Sequence, residues 1–116
     1  MLKNLRKRLG QSTDELHEQA LCDRYTAMGL EPISGVPRRA PVRIGGEVQG
    51  LQVVPRAGSP SLEVTVSDGT GRAVGVFTGR RRLGGIDPGR TVLFEGVGRE
   101  ERGRLLLVNP AYTLLP

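Results

Sequence analysis

Twelve of the arginines in this 116-residue sequence fall after residue 34, and no lysine accompanies them. A guanidinium forks onto phosphate oxygens and stacks on bases, whereas a lysine offers only a point charge. The densest group, Arg80-Arg81-Arg82, lies in SDGTGRAVGVFTGRRRLGGIDPG, residues 67–89. Binding of a polyanion is the chemistry this pattern suits. A GC-rich genome also substitutes arginine for lysine, so the bias is compatible with nucleic acid without requiring it.

Other reactive residues form no site in the sequence. His17, Glu18 and Cys22 share one helical stretch, but a closed zinc site takes four ligands and the chain has no further His or Cys. Ser12, Thr13, Asp14 and His17 include nucleophile, acid and base types, yet they read as a helix-capping run with no sign of an oxyanion hole. GEVQG and GIDPG are not phosphate loops, because no Gly-x-x-x-x-Gly-Lys-Ser/Thr occurs. We therefore expect no enzyme activity, no catalytic residues, no metal and no cofactor.

The net charge of +5 and the pI near 10.3 favour polyanionic partners. Residues 1–10 carry +4, residues 11–34 carry −4, and the remaining +5 lies in residues 35–116. Aromatic residues make up only 3% of the chain, so stacking platforms are scarce. One cysteine excludes an intramolecular disulfide and fits a reducing cytoplasm. The basic start is followed by no apolar run of signal-peptide or membrane-span length. With three leucines, KNLRKRL and its neighbours suit no stable membrane association.

The elements that would position the arginines change character along the chain. Ser12 and Glu15 form a capping box for a helix over about 13–28, with Gly29 as its stop; Leu2, Leu5 and Leu9 suit a shorter helix before it. Residues 1–34 thus read as a helical segment. GLEPISGVPRRAP contains three prolines and supplies a linker, placed at 35–41. From Val42 the apolar period becomes two. A first strand has a bend or bulge at Gly45-Gly46, residues 54–61 form a loop, and a second strand spans Leu62 to Val66. DGTG turns into a third strand, Arg72 to Thr78, with Val74 and Val76 inward and Ala73, Gly75 and Phe77 on the other face.

A compact loop leads to a fourth strand from about Thr91 to Arg99, with Val92 and Phe94 inward. REERG then turns into a fifth, Arg104 to Asn109, which is apolar on both faces and needs two coverings. The N-terminal helix is the expected outer one. Tyr112 is expected to dock the C-terminal tail.

VRIGGEVQGLQV, LEVTVSDGTGRAVGVF, IDPGRTVLFEGVG and GRLLLVNPAY, in that order, resemble the OB-fold nucleic-acid-binding family. The likeness is to the wedge-type OB domain of RecG-like helicases and to short actinobacterial OB-fold proteins. It spans residues 39–113 and includes no helicase motor; the helix common between the third and fourth strands is reduced to a loop. It implies a mostly β (α+β) fold: a five-stranded Greek-key OB barrel over residues 42–116 with one or two N-terminal helices.

Carried over by position, the usual ligand face puts Arg43, Arg56, Thr65, Arg72, Phe77, Arg80, Arg81, Arg82, Arg99, Arg102 and Arg104 on or near a nucleic-acid groove. Phe77 is either a base-stacking ring there or a residue that caps the end of the barrel core or meets the N-terminal helix. The function implied is non-catalytic binding of single-stranded nucleic acid, DNA slightly ahead of RNA. The alternative is a protein-interaction or assembly module using the N-terminal helix and barrel surface, with self-association included.

Overall fold

Alternating apolar residues after residue 40 build six strands in the computed structural model, which describes residues 13–116. They are β1 (Pro41–Arg56), β2 (Ser59–Ser67), β3 (Arg72–Thr78), β4 (Thr91–Glu101), β5 (Arg104–Val108) and β6 (Ala111–Leu114). The sheet runs β1-β2-β3-β5-β4, and β4 pairs back onto β1, closing a five-stranded ring. Only β3 and β5 are parallel. This is the OB barrel expected from the sequence. β6 was not foreseen: after Pro110 the chain continues along the β4 edge, pairing Phe94 with Tyr112.

Two boundaries differ from the sequence reading. The expected loop at 54–61 is a two-residue turn, Ala57-Gly58, with φ of 51° and 80°. Positive φ at both positions matches the twist of the flanking strands, so β1 and β2 run right up to it. At Gly45-Gly46, where a bend or bulge was expected, the register against β4 is unbroken and the two glycines allow close packing. A Cβ at Gly45 would lie 2.5 Å from the Tyr25 ring, and one at Gly46 would lie 2.7 Å from Val66. The irregularity in β1 falls at Gln49, where the register against β2 shifts between Val48 and Gly50.

The facing of β3 is reversed. Ala73 and Phe77 belong to the barrel core with Val64, Phe94, Leu105 and Leu107, whereas Val74 and Val76 cluster separately with Leu106 on the outside. Both alternating sets are apolar, so periodicity cannot choose between them. Phe94 decides: a Cβ on Gly75 would meet its ring at 2.8 Å, so glycine must face inward where that ring sits. Ile33 and Val36, just before the strands, are also buried in this core.

The helix α1 (Thr13–Ala27) has Asp14 and Glu15 in its first turn and Arg24 in its last, which complements its dipole. Gly29, with φ of 74°, follows its end. The capping residue Ser12 and the shorter helix at Leu2, Leu5 and Leu9 lie outside the described residues. Leu21 and Tyr25 pack with Leu30 against Leu93 and Leu115. The helix therefore packs across β1, Leu93 of β4 and the C-terminal tail, not on the outer face of β5 as expected. Leu93, on the outward side of β4, supplies the apolar landing site.

Tyr25 is 2% exposed and its hydroxyl has no hydrogen-bond partner among the described residues. Burial pushes its pKa from 10.0 up to about 12. The unfolded chain thus loses this proton first as pH rises. Stability complete below pH 10 should fall by roughly 2–3 kcal/mol towards pH 12. Tyr25→Phe is expected to remove that alkaline loss and to change stability at pH 7 by less than about 1 kcal/mol. Urea denaturation at pH 7 and across the alkaline range checks both.

Candidate nucleic-acid interface

The outer face of β2, β3 and β5 follows from the pairing register. Glu63 lies opposite Val76, Thr65 opposite Val74, and Val74 beside Leu106. Arg99 and Glu101 of β4 join this face opposite Leu106 and Arg104. Its middle is apolar yet dry: Val76 and Leu106 are both 0% exposed. Arg56, Arg99 and Arg104 surround it in an ion-pair network with Glu63 and Glu101.

Those arginines are held by two glutamates. Arg56 Nη2 donates to Glu63 Oε2 at 3.1 Å and to Glu101 Oε1 at 3.2 Å. Arg99 Nη2 donates to the other oxygen of Glu101 at 3.0 Å, and Arg104 Nη1 approaches Glu63 Oε1 at 3.5 Å. The bonds from Arg99 and Arg56 hold the Glu101 carboxyl below the usual carboxylate range; those to Glu101 and Glu63 hold Arg56 more firmly protonated. Three guanidiniums against two carboxylates leave one positive charge, so the network contributes less to anion binding than its arginine count suggests.

Beside the network lies a cavity of about 650 Å³. Its lining includes Ser34, Arg38, Thr65, Arg72, Val74 and Arg104, with the backbone of Gly71 and Gly103. Arg38 and Arg72 are exposed and have no acidic partner among the described residues. Asp68, 2% exposed, holds the two segments that carry them. Its carboxylate accepts from Ile33 N at 2.8 Å, Thr70 N at 2.9 Å, Thr70 Oγ1 at 2.6 Å and Gly71 N at 3.2 Å. The Ser34 N–H donates to Thr70 Oγ1 at 3.3 Å, which ties the chain leading to Arg38 onto the turn leading to Arg72.

The structure therefore brings together Thr65, Arg72 and Arg104, with Arg56 and Arg99 in the adjoining network and Arg102 on the β4–β5 turn. Phe77 is 5% exposed and sits edge-on to Phe94 at 5.9 Å and Tyr112 at 5.8 Å. It caps the core and is no exposed platform for bases. Arg43 lies on the β1–β4 side, 3.8 Å from Glu95. Arg80, Arg81 and Arg82 are exposed after β3, and the latter two line a separate cavity with Leu51 and Val53.

Arg38 and Asp68 were missed by the sequence reading. Arg38 falls in the stretch read as a linker, and Asp68 in a turn explained by its glycines alone. An aspartate opening a DGTG turn does carry a signal, since Asx side chains bond their own backbone two residues on.

Among the described residues no three His, Cys, Asp or Glu side chains are grouped to share a metal ion, and no helix is long and apolar enough to cross a membrane. His17 Nε2 instead sits 2.7 Å from Glu47 Oε2, between α1 and β1.

No protein-family model matches the chain, and no curated protein matches it in sequence. Solved structures do match in shape. One is the crystal structure of the S. pombe Stn1-Ten1 complex, with TM-score 0.52 and 20% identity, covering 71% of this chain and 62% of that one. This chain thus spans less than two thirds of that protein's length. Another is a Replication Protein A heterotrimer bound to ssDNA, with TM-score 0.52 and 13% identity, covering 77% of this chain and 74% of the other. At these identities the likeness is one of fold.

Proposed function

We propose that the protein is a non-catalytic binder of single-stranded nucleic acid, with DNA ahead of RNA, that holds the sugar-phosphate strand across the Arg38–Arg72–Arg104 cavity. The observation that carries this reading is that three arginines line one concavity, two of them free of acidic partners among the described residues. That concavity lies on the face where OB barrels place their ligands. The Replication Protein A neighbour is bound to ssDNA, which supports DNA as the first ligand to try. Kinship with the wedge-type OB domains rests on the order of the four sequence segments that resemble them.

With Phe77 buried, no aromatic ring is available in this cavity for stacking, and phosphate contacts must supply most of the affinity. Binding is therefore weak and salt-dependent. Three neutralised phosphates give a log-log salt slope of about −2, at roughly −0.7 each on single strands. Fluorescence anisotropy with labelled oligo-dT, oligo-rU and a duplex at two salt concentrations tests this. A slope near zero, or tighter binding of the duplex, contradicts it.

Arg80, Arg81 and Arg82 lie beyond the far end of β3 from Arg72. The seven residues of β3 alone span roughly 20 Å, well over a Debye length at physiological salt. Replacing all three with glutamine is expected to change oligo-dT affinity less than about threefold at 0.15 M salt. Stability should shift by less than about 0.5 kcal/mol. Anisotropy and thermal unfolding of the triple variant provide the readouts.

A further inference from the structure

β1 has main-chain partners on both edges only at Glu47 and Val48. Pro41 to Glu47 pair with β4, while Glu47 onward pairs with β2. Val48 makes the last main-chain bonds on the β4 side: its N–H donates to the Arg90 carbonyl and its carbonyl accepts from the Gly89 N–H, both at 2.8 Å. Beyond it, among the described residues, only β2 pairs with β1. Alternation across the bulge at Gln49 turns the N–H and C=O groups of Leu51 and Val53 towards the open edge.

The side chains of the same two residues are 36% and 44% exposed. They line a cavity of about 300 Å³ together with Leu83, Arg81 and Arg82. Asp87 also lines it but makes no ion pair with either arginine, and neither arginine has an acidic partner among the described residues. Open edges in native sheets are usually blunted by prolines, bulges or charges. Here the bulge at Gln49 and Pro55 bracket the edge and leave Leu51 to Val54 unblunted between them.

We propose that this edge accepts an extended acidic segment of a partner protein as an added strand. Leu51 and Val53 would supply the main-chain hydrogen bonds, the cavity between them and Leu83 would take alternate side chains, and Arg81 and Arg82 would pair with carboxylates. Charge selects this occupant. A second copy added antiparallel to the same edge would bring its own Arg80–Arg82 run towards the first, and a nucleic acid has no peptide groups to extend the ladder. The surface is separate from the Arg38–Arg72–Arg104 cavity and does not rest on the nucleic-acid reading.

The test is a titration of ¹⁵N-labelled full chain with a capped ten-residue peptide of alternating valine and glutamate, followed by NMR. The amides of Leu51 and Val53 are expected to shift, and their hydrogen exchange to slow at least about tenfold at saturation. The exposed pair Arg81→Glu and Arg82→Glu should weaken binding at least about tenfold while leaving the rest of the spectrum in place. Methylating alternate peptide nitrogens should abolish it. The proposal is overturned if millimolar peptide leaves residues 50–54 unmoved, if a valine-lysine peptide binds equally well, or if binding survives backbone methylation. It is also overturned if oligo-dT moves these amides at lower concentration than the peptide does.

Discussion

Arg38→Glu combined with Arg72→Glu is expected to weaken oligo-dT binding by at least about 100-fold near 0.05 M salt, with the fold unchanged. Both side chains are exposed and make no ion pair among the described residues, so folding loses nothing specific when they change. Each lost single-strand phosphate contact removes about 0.7 from the salt slope, which near 0.05 M amounts to about tenfold in affinity. Reversing the charge adds repulsion, and the slope should flatten by about 1.4. The glutamine pair should show the same flattening with a smaller loss. Arg104 is a poorer choice for this test because it also pairs with Glu63 and Glu101, so its removal perturbs that network as well.

Asp68→Ala is expected to cost about 3 kcal/mol or more and to weaken oligonucleotide binding as well. One buried carboxylate accepts four hydrogen bonds and joins the Ile33 segment to the β2–β3 turn. Hydrogen bonds to a charged group contribute about 1.5–3 kcal/mol each, and removing the acceptor strands buried amides. Arg38 follows the segment that would come loose, so the arginines should lose their common cavity. Asp68→Asn keeps one carbonyl acceptor and should fall between alanine and the parent. Urea denaturation gives the stabilities, and anisotropy at a temperature where each variant is folded gives the affinities. Equal binding by folded Asp68→Ala would show that the tether does not position Arg38.

The barrel was legible because β-strand alternation is local. Leu62, Val64 and Val66 alternate with polar residues, the DGTG turn follows, and the order of segments matches a five-strand ring. The facing of β3 was not legible. Valines on one side and Ala73, Gly75 and Phe77 on the other are both apolar, and the choice depends on the Phe94 ring arriving from β4. The helix was placed within a residue of its end at Ala27, but its landing site was not, since Leu93 and Leu115 are distant in sequence.

The candidate site was legible in part for the same reason. Sequence order placed Arg72 and Arg104 at strand ends that the parallel β3–β5 pairing makes neighbours. It could not show that Glu63 and Glu101 claim Arg56 and Arg99, or that an Asp68 tether brings a proline-flanked arginine beside them.

The most direct test of the central claim is a map of oligo-dT on the ¹⁵N-labelled full chain at low salt. The account predicts that amide shifts concentrate at Ser34, Arg38, Thr65, Arg72, Val74, Gly103 and Arg104, and that 0.3 M salt largely reverses them. No shift at low salt, or shifts centred away from this cavity, would contradict it.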